Sequence, residues 1–227
     1  MERDPKLITT EDGSHSLFVP DLKETYHSFH GALQESRHVF IEKGLSDYNE
    51  KFNAISIQVL EIGLGTGLNA LLTAEWAQVN QVAVEMISIE AYPIPSDMVT
   101  KLNYPALLGK DHADEWFQSI HGTPWETRSE IHPLFHLRKV NSKLESYPLP
   151  SQQFQVIFFD AFAPNKQAEL WELDILGKIY NSQATNSYFV TYCAKGQLKR
   201  DLKSLGYEVE TLEGSPGKKE MVRAVKY

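Results

Sequence analysis

Val59-Leu60-Glu61-Ile62-Gly63-Leu64-Gly65-Thr66-Gly67-Leu68-Asn69 is the stretch that decides the fold. Its first residues close an aliphatic, β-branched run at 55–62 that reads as a buried strand. Three glycines at alternate positions follow, and 68–76 reads as the helix they open. Glycine lets the backbone take positive φ and lets a ligand approach with no Cβ in the way. The helix start beyond offers unpaired N–H groups and a partial positive charge. Taken alone, the loop could also be a structural turn.

The spacing narrows the ligand. Dinucleotide binders favour G-x-G-x-x-G/A, whereas here Leu68 stands where the third small residue would be. No lysine follows the loop as in a phosphate-binding P-loop. Glu61, two residues before the first glycine, suits a cationic or amino-bearing ligand better than a pyrophosphate. Glu90 ends the strand-like run Met86-Ile87-Ser88-Ile89-Glu90, where a carboxylate can accept both hydroxyls of a ribose. This is the pattern of S-adenosyl-L-methionine-dependent methyltransferases, whose cofactor carries an ammonium and a sulfonium but no phosphate.

Outward from the loop, strand-like stretches at 84–89, 135–140, 154–159, 187–192, 207–212 and 221–225 alternate with helix-length segments. That order predicts an α/β, Rossmann-like fold with a mostly parallel seven-stranded sheet and helices on both faces. The short link between the last two strands predicts a C-terminal antiparallel hairpin. Residues 1–227 read as one methyltransferase domain, with an N-terminal extension at 1–50 and a helical insertion at 93–134. The first 20 residues are polar and turn-like, and Tyr26, Phe29, Leu33, Phe40 and Ile41 have roughly helical spacing.

The chain has 227 residues, 42% of them hydrophobic, and a formal net charge of −8, which excludes a uniformly basic nucleic-acid binder. Residues 191–227 nevertheless sum to +3, so a local basic surface is expected there. One cysteine, Cys193, rules out an intrachain disulfide and suits a reducing compartment. With no signal-like start and no membrane-length apolar run, the expectation is a cytoplasmic protein. Eight histidines, with His27 and His30 three apart, invite a metal reading, but no Cys-x-x-Cys or His-Glu-x-x-His pattern exists and no metal is expected.

Phe154-Gln155-Val156-Ile157-Phe158-Phe159-Asp160 is a strand ending on a carboxylate, followed by Ala161-Phe162-Ala163-Pro164-Asn165-Lys166. Methyl transfer to an amine needs a neutral nitrogen lone pair, alignment, and a destination for the proton. Asp160 could orient the amine and take that proton, and Phe162 could line the path and favour a cationic centre. The alternative is that Asp160 only caps the next helix.

These residues carry a resemblance. Glu35-Ser36 with Val39-Phe40 after Gly31, the glycine loop through Asn69, Asp160 to Lys166, Glu169-Leu170-Trp171, 191–196 and Gly217-Lys218-Lys219-Glu220-Met221 resemble the methyltransferase half of the bacterial MnmC family, most closely its free-standing MnmD-like form. The resemblance spans nearly the whole chain. It implies N-methylation, from S-adenosyl-L-methionine, of 5-aminomethyl-(2-thio)uridine at the wobble position of tRNA, with the anticodon region as partner. It implies Glu61, Gly63 and Gly67 around the methionine part of the cofactor, Glu90 at the ribose, and Asp160 at the reacting amine. Gly65 and Asn69 belong to the same loop, Asn141 stands where the adenine contact begins, and Glu35 and Ser36 approach from the N-terminal extension. Nothing matches the family's flavin-dependent oxidase half, so no flavin is expected.

Lys166, Lys195, Lys199, Lys218 and Lys219 are the candidate RNA-contacting cations, although the helix with Lys199, Arg200 and Lys203 also reads as a solvated face. An unstacked wobble base would suit aromatic walls, with Tyr192, Trp171 and Phe162 as candidates and core packing as their alternative use. The rival functions are a small-molecule or protein N-methyltransferase on the same fold and a catalytically silent RNA-binding module. The sequence leaves the oligomeric state open.

Overall fold

The computed structural model describes residues 4–227. The opening residues pair as a small antiparallel sheet, β1 (Lys6–Thr9), β2 (His15–Val19) and β3 (Glu24–Thr25), rather than remaining turn. Strands this short carry too little alternation to stand out in sequence. The turn between β1 and β2 decides where the first helix starts. Ser14 Oγ accepts the N–H groups of Ala32 and Leu33 at 3.1 and 3.2 Å, and Asp12 Oδ2 accepts that of Gln34 at 3.0 Å. Those are the orphan donors of a helix N-terminus. Helix α1 (Ala32–Ser36) therefore begins after Gly31, and Tyr26 and Phe29 stay outside it despite their spacing. A stretch of π-helical geometry, Arg37–Ser46, and α2 (Asp47–Phe52) carry the helical run on.

The main sheet is built from β4 (Ser56–Ile62), β5 (Ala83–Glu90), β6 (Arg128–His132), β7 (Phe135–Asn141), β8 (Phe154–Phe159), β9 (Gln183–Thr191), β10 (Glu208–Glu213) and β11 (Glu220–Lys226). Their spatial order is β10-β11-β9-β8-β4-β5-β7-β6. The β4, β5, β7, β8 and β9 pairings are parallel, and β11 runs antiparallel between β9 and β10, as the hairpin reading requires. The sheet has eight strands rather than seven. The additional β6 lies inside the expected helical insertion and pairs antiparallel with β7. Only one of its residues, His132, is buried, so this edge strand has no apolar pattern to read. The rest of that segment forms α4 (Ser96–Val99), α5 (Tyr104–Leu108) and α6 (Ala113–Gly122).

Strand alternation sorts the core onto two faces. Ile57, Val59, Val156 and Phe158 pack with the π-helical stretch and with α3 (Leu68–Asn80), where the Phe40 and Phe158 rings lie 5.2 Å apart. Leu60, Ile62, Ile157 and Phe159 pack on the other face with α7 (Leu173–Ser182) and α8 (Gly196–Ser204). Each such side chain contributes about 1.5–3 kcal/mol of burial. Among the described residues no helix is long and apolar enough to cross a membrane.

Candidate active site

Parallel register brings three strand ends side by side. Ile62 of β4 is flanked by Ile89 of β5 and Phe159 of β8, so the next residues along, Gly63, Glu90 and Asp160, share the carboxyl edge of the sheet. That edge is where ligands bind in open α/β sheets. Here it borders a cavity of about 390 Å³, closed on its far side by Glu24 to Phe29, Glu35, Tyr192 and Lys218.

The glycine loop forms the cavity floor. Gly63 has φ +94°, and a Cβ there would fall 2.7 Å from the Asp160 carbonyl oxygen, so the position admits only glycine without strain. Gly65 donates its N–H to Glu90 Oε2 at 3.0 Å, while Glu90 Oε1 accepts the Tyr92 N–H at 2.7 Å. Glu90 thus braces the loop and still lines the cavity with acceptor capacity to spare. Gly67 lies behind the lining, where its left-handed backbone starts α3.

Glu61 is fully buried one residue before the strand end, on the same face as Val59. Its Oε2 accepts the Ser88 hydroxyl from the facing position of β5, and its Oε1 has no hydrogen-bond partner. Burial pushes the carboxyl up to about 8, against the opposing pull of Ser88.

At the other end of the cavity, Asn69 Nδ2 donates to Asp160 Oδ2 at 2.9 Å. Burial pushes the Asp160 carboxyl up to about 7, reinforced by Glu35 and opposed by Asn69 and Lys218. Phe162 meets Tyr26 edge-to-face with ring centroids 5.2 Å apart, and both rings line the cavity. Tyr192 donates its hydroxyl to the Ala161 carbonyl at 2.8 Å, which fixes its ring beside Asp160.

A sequence model of the S-adenosyl-L-methionine-dependent methyltransferase family matches residues 108–227, more than half of the chain and the part that contains Asp160 and Lys218. The chain belongs to this family. It is 29% identical over 213 residues to the tRNA 5-methylaminomethyl-2-thiouridine biosynthesis bifunctional protein MnmC of Leptospira borgpetersenii, covering 88% of this chain and 32% of that one. To the protein of the same name from Burkholderia multivorans it is 26% identical over 230 residues, covering 95% of this chain and 34% of the relative. The chain thus spans about a third of the length of these curated relatives. The crystal structure of MNMC2 from Aquifex aeolicus superposes with a TM-score of 0.74 over 98% of this chain and 70% of that chain, at 24% identity, and shares its fold.

The site's residues suit the family's cofactor. A buried carboxyl with one unpartnered oxygen lies at the end of β4, Gly63 lets the loop close onto the Asp160 carbonyl, and Glu90 keeps acceptor sites facing the cavity. Acceptors of this kind match the donors of an ammonium and of ribose hydroxyls and offer nothing specific to a phosphate.

Of the expected site residues, Glu35, Gly63, Gly65, Asn69, Glu90, Asp160, Phe162 and Lys218 converge on the cavity. Glu61 does not line it, being fully buried. Asn141 does not line it either: it is exposed, its N–H bonds Glu126 Oε1 at 2.9 Å, and Ser142 to Glu145 supply that part of the wall instead. Ser36 is buried outside the lining, with its hydroxyl unpartnered. Lys166 donates to the Leu22 carbonyl at 2.8 Å, tying the Asp160 loop to the N-terminal segment. Lys199 pairs with Glu220 at 2.7 Å, while Lys195 and Lys219 are exposed. Trp171 is buried and donates its indole N–H to the Phe162 carbonyl at 2.8 Å, so it holds that loop from behind. Cys193 is buried, which pushes its thiol up and away from reactivity. Among the described residues no three His, Cys, Asp or Glu side chains are placed to hold a metal.

Sequence reasoning missed Tyr26, Phe29, Tyr92 and Leu144 as cavity residues. Phe29 is 58% exposed at the cavity wall, a placement that its helical spacing in the sequence does not signal.

Proposed function

We propose that this chain, as one domain over 1–227, methylates the free amine of 5-aminomethyl-(2-thio)uridine at the wobble position of tRNA, acting in the cytoplasm on the anticodon region. The observation that carries the reading is the acceptor end itself: Asp160, held by Asn69, among the rings of Tyr26, Phe162 and Tyr192. The names of the MnmC relatives support the substrate.

Gly63, Gly65 and Glu90 would hold the cofactor, with Glu61 beneath. When bound, S-adenosyl-L-methionine supplies an electrophilic methyl group on a sulfonium. The chain's own contribution is to prepare the nucleophile. A primary amine arrives largely as ammonium, and Asp160 meets it with a charge-assisted hydrogen bond. A carboxylate whose affinity for protons is raised to near neutrality takes the proton and leaves the lone pair free. The fixed rings exclude water and favour the cationic secondary amine that results. Exposed Lys195 and Lys219 would meet backbone phosphate, so tRNA affinity should fall steeply with salt. The substrate arrives with its amine already free of any carboxymethyl group.

The test is nucleoside mass spectrometry after incubation with tRNA carrying the free aminomethyl group. The expected product is 5-methylaminomethyl-(2-thio)uridine. Cofactor binding without any methylated nucleoside would overturn the assignment, as would direct methylation of carboxymethylaminomethyl-tRNA.

A further inference from the structure

Glu35 stands on the first turn of α1 and is only 5% exposed, yet both of its oxygens are engaged at the acceptor wall. Oε2 accepts the Ser28 N–H at 2.7 Å, and Oε1 takes the Lys218 ammonium, which arrives from the loop between β10 and β11. The same ammonium lies 4.0 Å from the centroid of the Tyr192 ring, and the Tyr192 hydroxyl rests on the carbonyl of Ala161, next to Asp160. A carboxylate from the N-terminal extension and a lysine from the C-terminal hairpin therefore share one wall with Asp160.

We propose that Glu35 is a positioning residue that sets the basicity of Asp160, with Lys218 as the counter-charge that limits its effect. The inference rests on the reading that Asp160 receives the acceptor's proton.

The physical case is electrostatic. Two carboxylates in one poorly solvated cavity oppose each other's ionisation, and a cation paired to one of them screens its effect on the other. Glu35 has that cation and a backbone N–H, whereas Asp160 has the neutral amide of Asn69. The proton is thereby directed to Asp160, the group beside Phe162 and Tyr192. Other titratable groups around the pair are Glu61 on β4, Tyr192 after β9, and Glu24 and His27 on the N-terminal segment. Burial lowers His27 to about 4, so it stays neutral and cannot replace Lys218 as the counter-ion. The direction of the Asp160 shift, upward from burial with Glu35 adding to it, agrees with this division.

The test needs no acceptor. Protein labelled with carbon-13 at aspartate carboxyls is titrated by NMR, with the Asp160 signal assigned through Asp160→Asn. In Glu35→Gln the Asp160 midpoint should fall by about one pH unit, while Glu35→Asp, which keeps the charge, should hold it near the wild-type value. Lys218→Gln, a second route should Glu35→Gln fail to fold, should raise the midpoint. An unmoved midpoint in Glu35→Gln, or a fall in Lys218→Gln, overturns the proposal, whichever substrate the enzyme serves. If tRNA methylation fails while the midpoints move, the substrate assignment is at fault and the coupling stands.

Discussion

Asn69, the second residue of α3, donates to Asp160 Oδ2 across 2.9 Å and so joins the helix behind the glycine loop to the end of β8. One amide thereby ties the cofactor end of the cavity to the acceptor end, and it stabilises the charged form of Asp160. Asn69→Ala should raise the Asp160 carboxyl further. The acid limb of the kcat/KM profile would then move to higher pH, with a fall in kcat of about tenfold from the loosened geometry. An acid limb that stays in place would separate Asn69 from the proton chemistry.

Asp160→Asn preserves shape but removes the proton acceptor. Turnover should drop by about 10²–10⁴-fold. Affinity for S-adenosylhomocysteine, measured by calorimetry, should change little, because the cofactor's expected partners are Gly63, Gly65 and Glu90. A large loss of affinity with turnover intact would reverse the two roles.

Residues acting within one strand–turn–helix unit were readable from the sequence. The glycine loop, Glu90 and Asp160 each end a strand, and parallel register does the rest. The helical spacing of Tyr26 and Phe29 is not realised, because the helix start is fixed by Asp12 and Ser14, which belong to a different element. Lys218 read as a surface cation, and only the closure of the C-terminal hairpin onto α1 shows its pairing with Glu35. Asn141 lies off the cavity for a local reason. It sits opposite Glu90 in register, but its N–H turns to Glu126 and the wall begins one residue later.

Glu61 makes stability depend on pH in a defined direction. Its carboxyl is raised from 4.5 to about 8 in the folded chain, so its contribution is fully present below the lower value and is lost as pH rises through the upper one. Glu61→Gln mimics the protonated form. Without cofactor it should melt higher than wild type at about pH 9 and lose that advantage near about pH 4. Thermal melts across this range check the sign. The same variant should bind S-adenosylhomocysteine at least about tenfold more weakly above about pH 8, where the wild-type carboxyl is ionised and a neutral amide cannot replace it beside an ammonium.

Gly63→Ala places a methyl 2.7 Å from the Asp160 carbonyl oxygen at a φ of +94°. A backbone clash of this kind costs about 1–3 kcal/mol, since neither the loop nor the β8 end can yield cheaply. The Asp160 N–H is bonded to the Ile62 carbonyl at 3.0 Å, so relief would have to break the strand ends apart. Denaturant unfolding should show this loss, and cofactor affinity should fall with it. Gly109→Ala provides the control, because a Cβ there meets nothing within 4 Å although φ is also positive. Its cost should be confined to the backbone strain.

Phe29 separates substrate recognition from folding. Its ring is 58% exposed and lines the cavity, so little packing is lost when it is removed. An unstacked base entering toward Asp160 would pass this ring before reaching Tyr26 and Phe162. Base–aromatic stacking contributes about 1–3 kcal/mol, so Phe29→Ala should lower kcat/KM for tRNA by roughly 5- to 150-fold. The loss should fall on KM, because the ring does not touch the proton acceptor, and Phe29→Tyr or Phe29→Trp should restore it. Melting temperature and S-adenosylhomocysteine affinity should stay near wild type. If Phe29→Ala instead lowers kcat and leaves KM for tRNA unchanged, the ring acts on the chemistry and the base does not enter over it.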